Sequence, residues 1–245
     1  MNLFSFFENL WFNRVSWIQT FFFNFHYLPF SQAIKLPIYL HKPIFYREWG
    51  GRSFFFRLSG KVTIECKDIQ RGMIRMGFIR GTSHIDNGFI WGNTGEVVFK
   101  GKCDIAQGSS IRNGGGKLQL GDGFRANPNT KFICYYHIEI GDNTLNSWDV
   151  TYCDYDFHAM KNVYTDKKLK PFAPIIIGNN NWIGQNCIIL KNTNTPNYTT
   201  ISAGSVVSRK FKCSEKSIIA GNPAEIVAEG AYYMDYSDCV YTGSK

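Results

Sequence analysis

The sequence predicts an all-β solenoid, a parallel β-helix, on three observations. Ile177, Ile183, Ile189, Thr195, Ile201 and Val207 recur at every sixth residue. Four places after each stands a small residue, at Asn181, Cys187, Thr193, Thr199 and Ser205. One place after it come Gly178, Gly184, Pro196 and Ser202, where turn chemistry belongs. A strand repeats its facing every two residues and a helix about every 3.6, so a sustained period of six fits neither alone. Short strands joined by turns, each pointing one aliphatic residue inward, stack into a core that no single repeat can bury. Three such sides close a triangular coil of eighteen residues, the separation of Ile177 from Thr195.

Before the solenoid, residues 1–46 read as an aromatic, helical N-terminal extension. Phe4, Phe7, Trp11, Ile18, Phe21, Phe22 and Phe25 fall on a spacing of three or four, which predicts one or two amphipathic helices. Glu8, Asn9, Asn13 and Arg14 interrupt the apolar run, which is too short to span a bilayer at about 20 residues. Two roles fit: a cap on the open end of the coil, which is favoured because solenoid ends need covering, and an interfacial membrane contact. Pro29, Pro37 and Pro43 then punctuate an irregular stretch.

The solenoid is placed at residues 47–227. It opens at Phe99, Ile105 and Ile111, slips at Gly114, Gly115 and Gly116, and resumes at Leu120, Ala126 and Phe132. Ile140-Gly141-Asp142-Asn143 restarts the register, and the period then vanishes between Tyr152 and Ile175. A break flanked by regular coils is a projecting loop, set at residues 153–174, and long insertions in compact domains tend to be functional. Residues 228–245 are read as a C-terminal tail.

Three runs carry a resemblance. Ile177-Gly178-Asn179-Asn180-Asn181-Trp182-Ile183-Gly184, followed by Ile201-Ser202-Ala203-Gly204-Ser205-Val206-Val207 and Ala220-Gly221-Asn222-Pro223-Ala224, resembles the hexapeptide-repeat acyltransferases. The nearest branch O-acetylates sugars of capsule, lipopolysaccharide or exopolysaccharide. The resemblance is firm from about Leu118 to Val227 and absent before Lys61. It implies a left-handed coil, an exception to the right-handed crossover preference, together with acetyl-CoA as acyl donor and a homotrimer whose active sites lie between subunits.

Composition limits the partners. A formal charge of +8 and a pI near 9.1 suit an anionic ligand or surface. Basic residues do not interleave with aromatics in any nucleic-acid module, so no nucleic-acid partner is expected. Cys66, Cys103, Cys134, Cys153, Cys187, Cys213 and Cys239 form no close pair, and His26, His41, His84, His137 and His158 are scattered. Neither a disulfide framework nor a metal site is therefore expected. The N-terminus lacks a basic n-region and a small-residue cleavage site, so a cytoplasmic protein, peripheral to the membrane at most, is expected.

The loop carries Asp154-Tyr155-Asp156-Phe157-His158, three acid-base groups within five residues. Taken alone, a histidine among acidic residues on a loop is more often a surface ion pair than a catalytic group. The resemblance makes His158 the general base, with Asp156 or Asp154 orienting it or holding the acceptor. It also implies that Trp182 lines the thioester channel, where its indole or a backbone N–H would be the oxyanion donor. Coenzyme A is expected along Gly184, Ala203 and Gly204, with Ser208, Arg209 and Lys210 at its phosphates. Glu225 stands where the family carries a base. Trp148 and Asp149, expected beside the loop, complete the acceptor side. Lys161, Lys167, Lys168 and Lys170 make the loop basic.

The expected function is O-acetylation of a sugar hydroxyl on a surface polysaccharide or its precursor. The alternatives are a small acceptor such as serine, a nucleotide amino-sugar or an antibiotic, and a non-catalytic or zinc-dependent β-helix.

Overall fold

A computed structural model describes residues 14–47, 51–53, 58–80 and 84–234. Phe4, Phe7 and Trp11 of the expected helical pattern lie outside the described residues. Within them the chain winds as parallel strands into three sheets, the sides of a triangular coil. The first side stacks Ile38–Leu40, Ile74–Phe78, Cys103–Ala106, Phe124–Ala126, Leu145–Asn146, Trp182–Ile183, Thr200–Ile201 and Ser217–Gly221. The second stacks Pro43–Arg47, Phe89–Asn93, Ser109–Asn113, Lys131–Cys134, Thr151–Cys153, Ile188–Leu190 and Val206–Val207. The third stacks Lys61–Ile64, Glu96–Phe99, Lys117–Leu120, His137–Ile140, Ile175–Ile177 and Asn194–Thr195. The corner from first to second side is the first corner, that from second to third the second, and that from third back to first the third.

Register follows the period. Ile177 pairs with Thr195, Ile183 with Ile201 and Ile189 with Val207, each eighteen residues on. Earlier coils are longer: Leu120 pairs with Ile140, twenty on, and Phe99 with Leu120, twenty-one on. The extra residues sit at corners such as that around Gly115, which turns with a φ of 106°.

Each hexad has two inward positions. The six periodic aliphatic and threonine residues are at most 2% exposed, and Asn181, Cys187, Thr193, Thr199 and Ser205 at most 1%. The bend itself falls one residue earlier, at Asn180, Asn186, Asn192, Tyr198 and Gly204, with φ of 55°, 57°, 70°, 56° and 73°. Asparagine and glycine recur there because they enter left-handed backbone at low cost. The small residue then plugs the corner. Thr193 Oγ1 donates to the Leu190 carbonyl (2.7 Å), Thr199 Oγ1 to Pro196 (3.0 Å) and Ser205 Oγ to Ser202 (2.6 Å), three residues back each time.

The coil begins at Ile38, inside the stretch expected to be irregular. Pro43 is tolerated because it opens its strand, where no ladder donor is needed from it. Ahead of it lie helices α1 (Trp17–Tyr27) and α2 (Phe30–Ala33). Thr20, Phe23 and Asn24 of α1 are buried, with Phe23 edge-on to Trp91 at 5.0 Å. Asn24 does more than pack: its side chain donates to the Ile38 carbonyl (2.7 Å) and accepts the Ile38 N–H (3.1 Å), while Thr20 Oγ1 accepts the Leu40 N–H (3.0 Å). The outermost strand of the first side thereby finds partners for its edge. At the other end Ser217–Gly221 turns through Asn222 and Pro223 into antiparallel Ala224–Glu229.

Candidate active site

The expected loop is a β-hairpin leaving the second corner. Met160–Lys161 pairs antiparallel with Lys168–Leu169, and Asn162 Oδ1 closes the tip by accepting the N–H groups of Tyr164 (2.9 Å) and Thr165 (3.0 Å). Its base is fastened twice. Asp154 is fully buried, and its carboxylate accepts the backbone N–H groups of Tyr135 (2.8 Å), Tyr136 (2.9 Å) and His137 (2.7 Å) on the preceding coil. Above it Tyr135 stacks on Tyr155 at 5.5 Å, Phe157 meets both rings edge-on, and Tyr136 lies on Phe172 at 4.7 Å.

Asp154 is therefore corrected from an acceptor-binding residue to a structural one. Both its oxygens are spent on backbone, and none of it reaches solvent. A burial of this kind is invisible in a sequence where the same residue sits in an acidic cluster.

His158 stands exposed on the hairpin, one residue after Phe157, whose φ is 63°. Its Nδ1 lies 3.3 Å from the Asp156 carbonyl, which can only accept. That contact suits the tautomer with the proton on Nδ1. Asp156 thus meets the imidazole with its backbone, while its carboxylate is taken by Lys191 Nζ at 2.8 Å. Lys191 also donates to the Lys170 carbonyl at 3.0 Å. It ties the hairpin to the next coil, a role nothing in its local sequence signals.

Trp182 lies outward on the first side. Its indole N–H donates to Ser147 Oγ (3.1 Å), and its ring lies 5.5 Å from Tyr233. The indole N–H is thus bonded within the chain, and the Trp182 backbone N–H donates to the Thr199 carbonyl (3.0 Å). Trp148 and Asp149 are on the first corner rather than beside the hairpin, because the strand Thr151–Cys153 spans the whole second side between them. Asp149 accepts from Asn129 Nδ2 (3.0 Å) and lies 3.5 Å from His84 Nε2. On that corner Trp148 stacks under Asn186, and Gln185 under Gly204, through backbone bonds of 3.1 and 2.8 Å.

The expected coenzyme residues divide between two corners. Gly184, Ala203 and Gly204 line the first. A Cβ on Gly184 would come within 2.5 Å of the Ala203 nitrogen, so close coil stacking requires that glycine, whereas a Cβ on Gly204 would meet nothing within 4 Å. Ser208, Arg209 and Lys210 are exposed on the second, two coils below His158. Arg209 is ion-paired with Glu225, the acid that departs from the family pattern, and its guanidinium lies over Phe211 at 5.2 Å. Lys210 has no carboxylate partner among the described residues.

A groove of about 340 Å³ on the third corner escaped the sequence reading. It is lined by Gly123, Arg125, Asn143, Asn180, Tyr198 and Tyr233. Tyr233 also lies against Trp182. Only the left-handed asparagines announce this corner in the sequence, and they announce its bend, not its cavity. Among the described residues no three His, Cys, Asp or Glu side chains converge to hold a metal ion, and no helix is long and apolar enough to cross a membrane.

The chain is 29% identical over 128 residues to a galactoside O-acetyltransferase of Escherichia coli, matching 50% of this chain and 62% of that protein. It is 32% identical over 152 residues to an uncharacterized 24.8 kDa protein in the cps region of Klebsiella pneumoniae, matching 61% of this chain and 66% of that one. Under two thirds of the length of each of these two relatives is matched, and no family profile matches the chain. Among solved structures, a polySia-specific acetyltransferase is similar at 20% identity and a TM-score of 0.48, over 74% of this chain and 72% of that one.

Proposed function

We propose that the protein is an acetyl-CoA-dependent O-acetyltransferase acting on a sugar hydroxyl of a surface polysaccharide or its precursor, with His158 as general base. The observation that carries this reading is the placement of the imidazole: Nδ1 lies 3.3 Å from the Asp156 carbonyl, and the side chain stands exposed on a hairpin that leaves the coil. An alcohol is a weak nucleophile near neutral pH. Removing its proton as it attacks a thioester carbonyl is worth about 10² to 10⁴ in rate. The hydroxyl proton passes to Nε2, the new C–O bond forms, and collapse expels the coenzyme thiolate, which takes the proton back. No covalent enzyme intermediate is needed.

The residues present suit the acyl donor in part. Gly204 leaves open space on the first corner, and Lys210 is an available cation for phosphate. Arg209 is less available, being paired with Glu225. The groove on the third corner brings amides, a guanidinium and two phenol rings to one place, the chemistry that grips a sugar.

Position supports the homotrimer that the resemblance implies. His158 projects from the second corner, and the side of the triangle opposite that corner is the first, which carries Trp182. One chain cannot bring the two together, whereas the hairpin of one protomer laid against the first side of its neighbour can.

The test is thiol release by the purified chain with acetyl-CoA and a panel of saccharides, serine, a nucleotide amino-sugar and an antibiotic. His158→Ala is expected to abolish turnover with coenzyme A binding retained, and turnover persisting in that variant would overturn the mechanism.

A further inference from the structure

Helix α1 has two apolar faces, and the fold uses one of them. Thr20, Phe23, Asn24 and Tyr27 turn toward the coil. On its other side Trp17, Ile18 and Phe21 are 51%, 72% and 56% exposed, and the segment beyond adds Phe30 at 70% and Ile34 at 60%. Single exposed apolar residues are ordinary, but these are contiguous. Phe21 stacks on Phe25 at 4.3 Å and Phe25 meets Phe30 edge-on at 6.0 Å, so one aromatic ridge runs from α1 into α2.

Charge says what the ridge faces. From Asn9 to Arg47 the sequence contains no aspartate or glutamate, although the chain carries nineteen. Arg14 and Lys35 are exposed beside the ridge, and the Arg71 guanidinium lies 5.7 Å over the Trp17 ring while its Nε donates to Tyr39 Oη (2.7 Å). Rings and aliphatic side chains bordered by guanidinium and ammonium groups, on a stretch of chain without carboxylates, match the boundary of an anionic bilayer. A second copy of this chain fits poorly there, since it would bring its own cations and a formal charge of +8 against the same face.

We propose that the outer face of α1 and α2 docks on an anionic lipid surface. The apolar ridge enters the headgroup region, and Arg14, Lys35 and Arg71 meet lipid phosphates. The same helix thus covers the coil with one face and anchors it with the other. Along the second side, four strand steps separate Pro43–Arg47 from Thr151–Cys153. At about 4.8 Å each, they set the hairpin roughly 19 Å further along the coil axis. The inference does not depend on the chemistry proposed for His158.

It is tested by co-sedimenting the full chain with vesicles of phosphatidylcholine alone and of phosphatidylcholine with phosphatidylglycerol, at low and high salt. Binding to the anionic vesicles is expected, weakened by salt, and at least about tenfold weaker for the double variant Ile18→Glu, Phe21→Glu. Both positions are exposed, so the variant keeps its circular dichroism and melting temperature. No binding by the unsubstituted chain, or equal binding by the variant, overturns the proposal. So does a variant whose oligomeric state changes while the unsubstituted chain ignores lipid, which would make the ridge a contact between copies.

Discussion

Asp154 shows how far apart two carboxylates of one motif can lie in role. It accepts three backbone N–H groups and is sealed from solvent, while Asp156, two residues on, meets a lysine at the surface. Bonds to a charged acceptor contribute about 1.5–3 kcal/mol each, and Asp154→Asn replaces one of the two accepting oxygens by a donor. We expect that variant to lose at least about 2 kcal/mol in urea unfolding. Asp156→Asn, which breaks only a partly exposed ion pair, should stay within about 1 kcal/mol. Corner residues give a second, independent check. Asn180→Ala, at a φ of 55°, should cost about 1–2 kcal/mol from backbone conformation alone. The acidic cluster was legible in the sequence as a place where chemistry gathers. Which acid is buried was not, because burial is decided by the coil beneath.

Helix α1 is held by polar anchors as much as by its rings, and its tyrosine makes that measurable. Tyr27 donates to the Ser59 carbonyl (2.8 Å) and accepts from Trp91 Nε1 (3.1 Å). Burial pushes its hydroxyl up from 10.0 to about 12, against the bonds from Trp91, Asn93 and Ser59, which work the other way. A group raised on folding gives stability that is fully present below its unfolded value and lost as pH climbs to its folded one. The helix should therefore hold below about pH 10 and weaken from pH 10 to about 12. Denaturation midpoints across that window are expected to fall more steeply for the unsubstituted chain than for Tyr27→Phe. The later coils were legible because one aliphatic, one left-handed and one plugging residue return every six positions. The first coils were not. Their longer repeats break the count, and the prolines at 37 and 43 imitate a loop although Pro43 opens a strand.

At the scale of the molecule, the period tells how far along the coil a residue lies but not which side it faces. His158, Trp148 and Trp182 accordingly read as one site and fall on two corners and a side. A site shared between protomers makes a numerical prediction. His158→Ala and Trp182→Ala, each inactive alone, should recover about a quarter of full activity when co-assembled in equal amounts, since one site in four then draws both intact groups. Absence of recovery would place both groups in one chain's site.

Both ends of the solenoid are also turned away from their own ladder: α1 covers the outermost strand of the first side, and antiparallel partners follow Pro43–Arg47 and Ser217–Gly221. A stack of parallel strands left open would be a template for the next molecule, and the next, into a fibre. With these edges covered, growth end to end is opposed, and the proposed trimer would let three flanks satisfy one another as a closed ring.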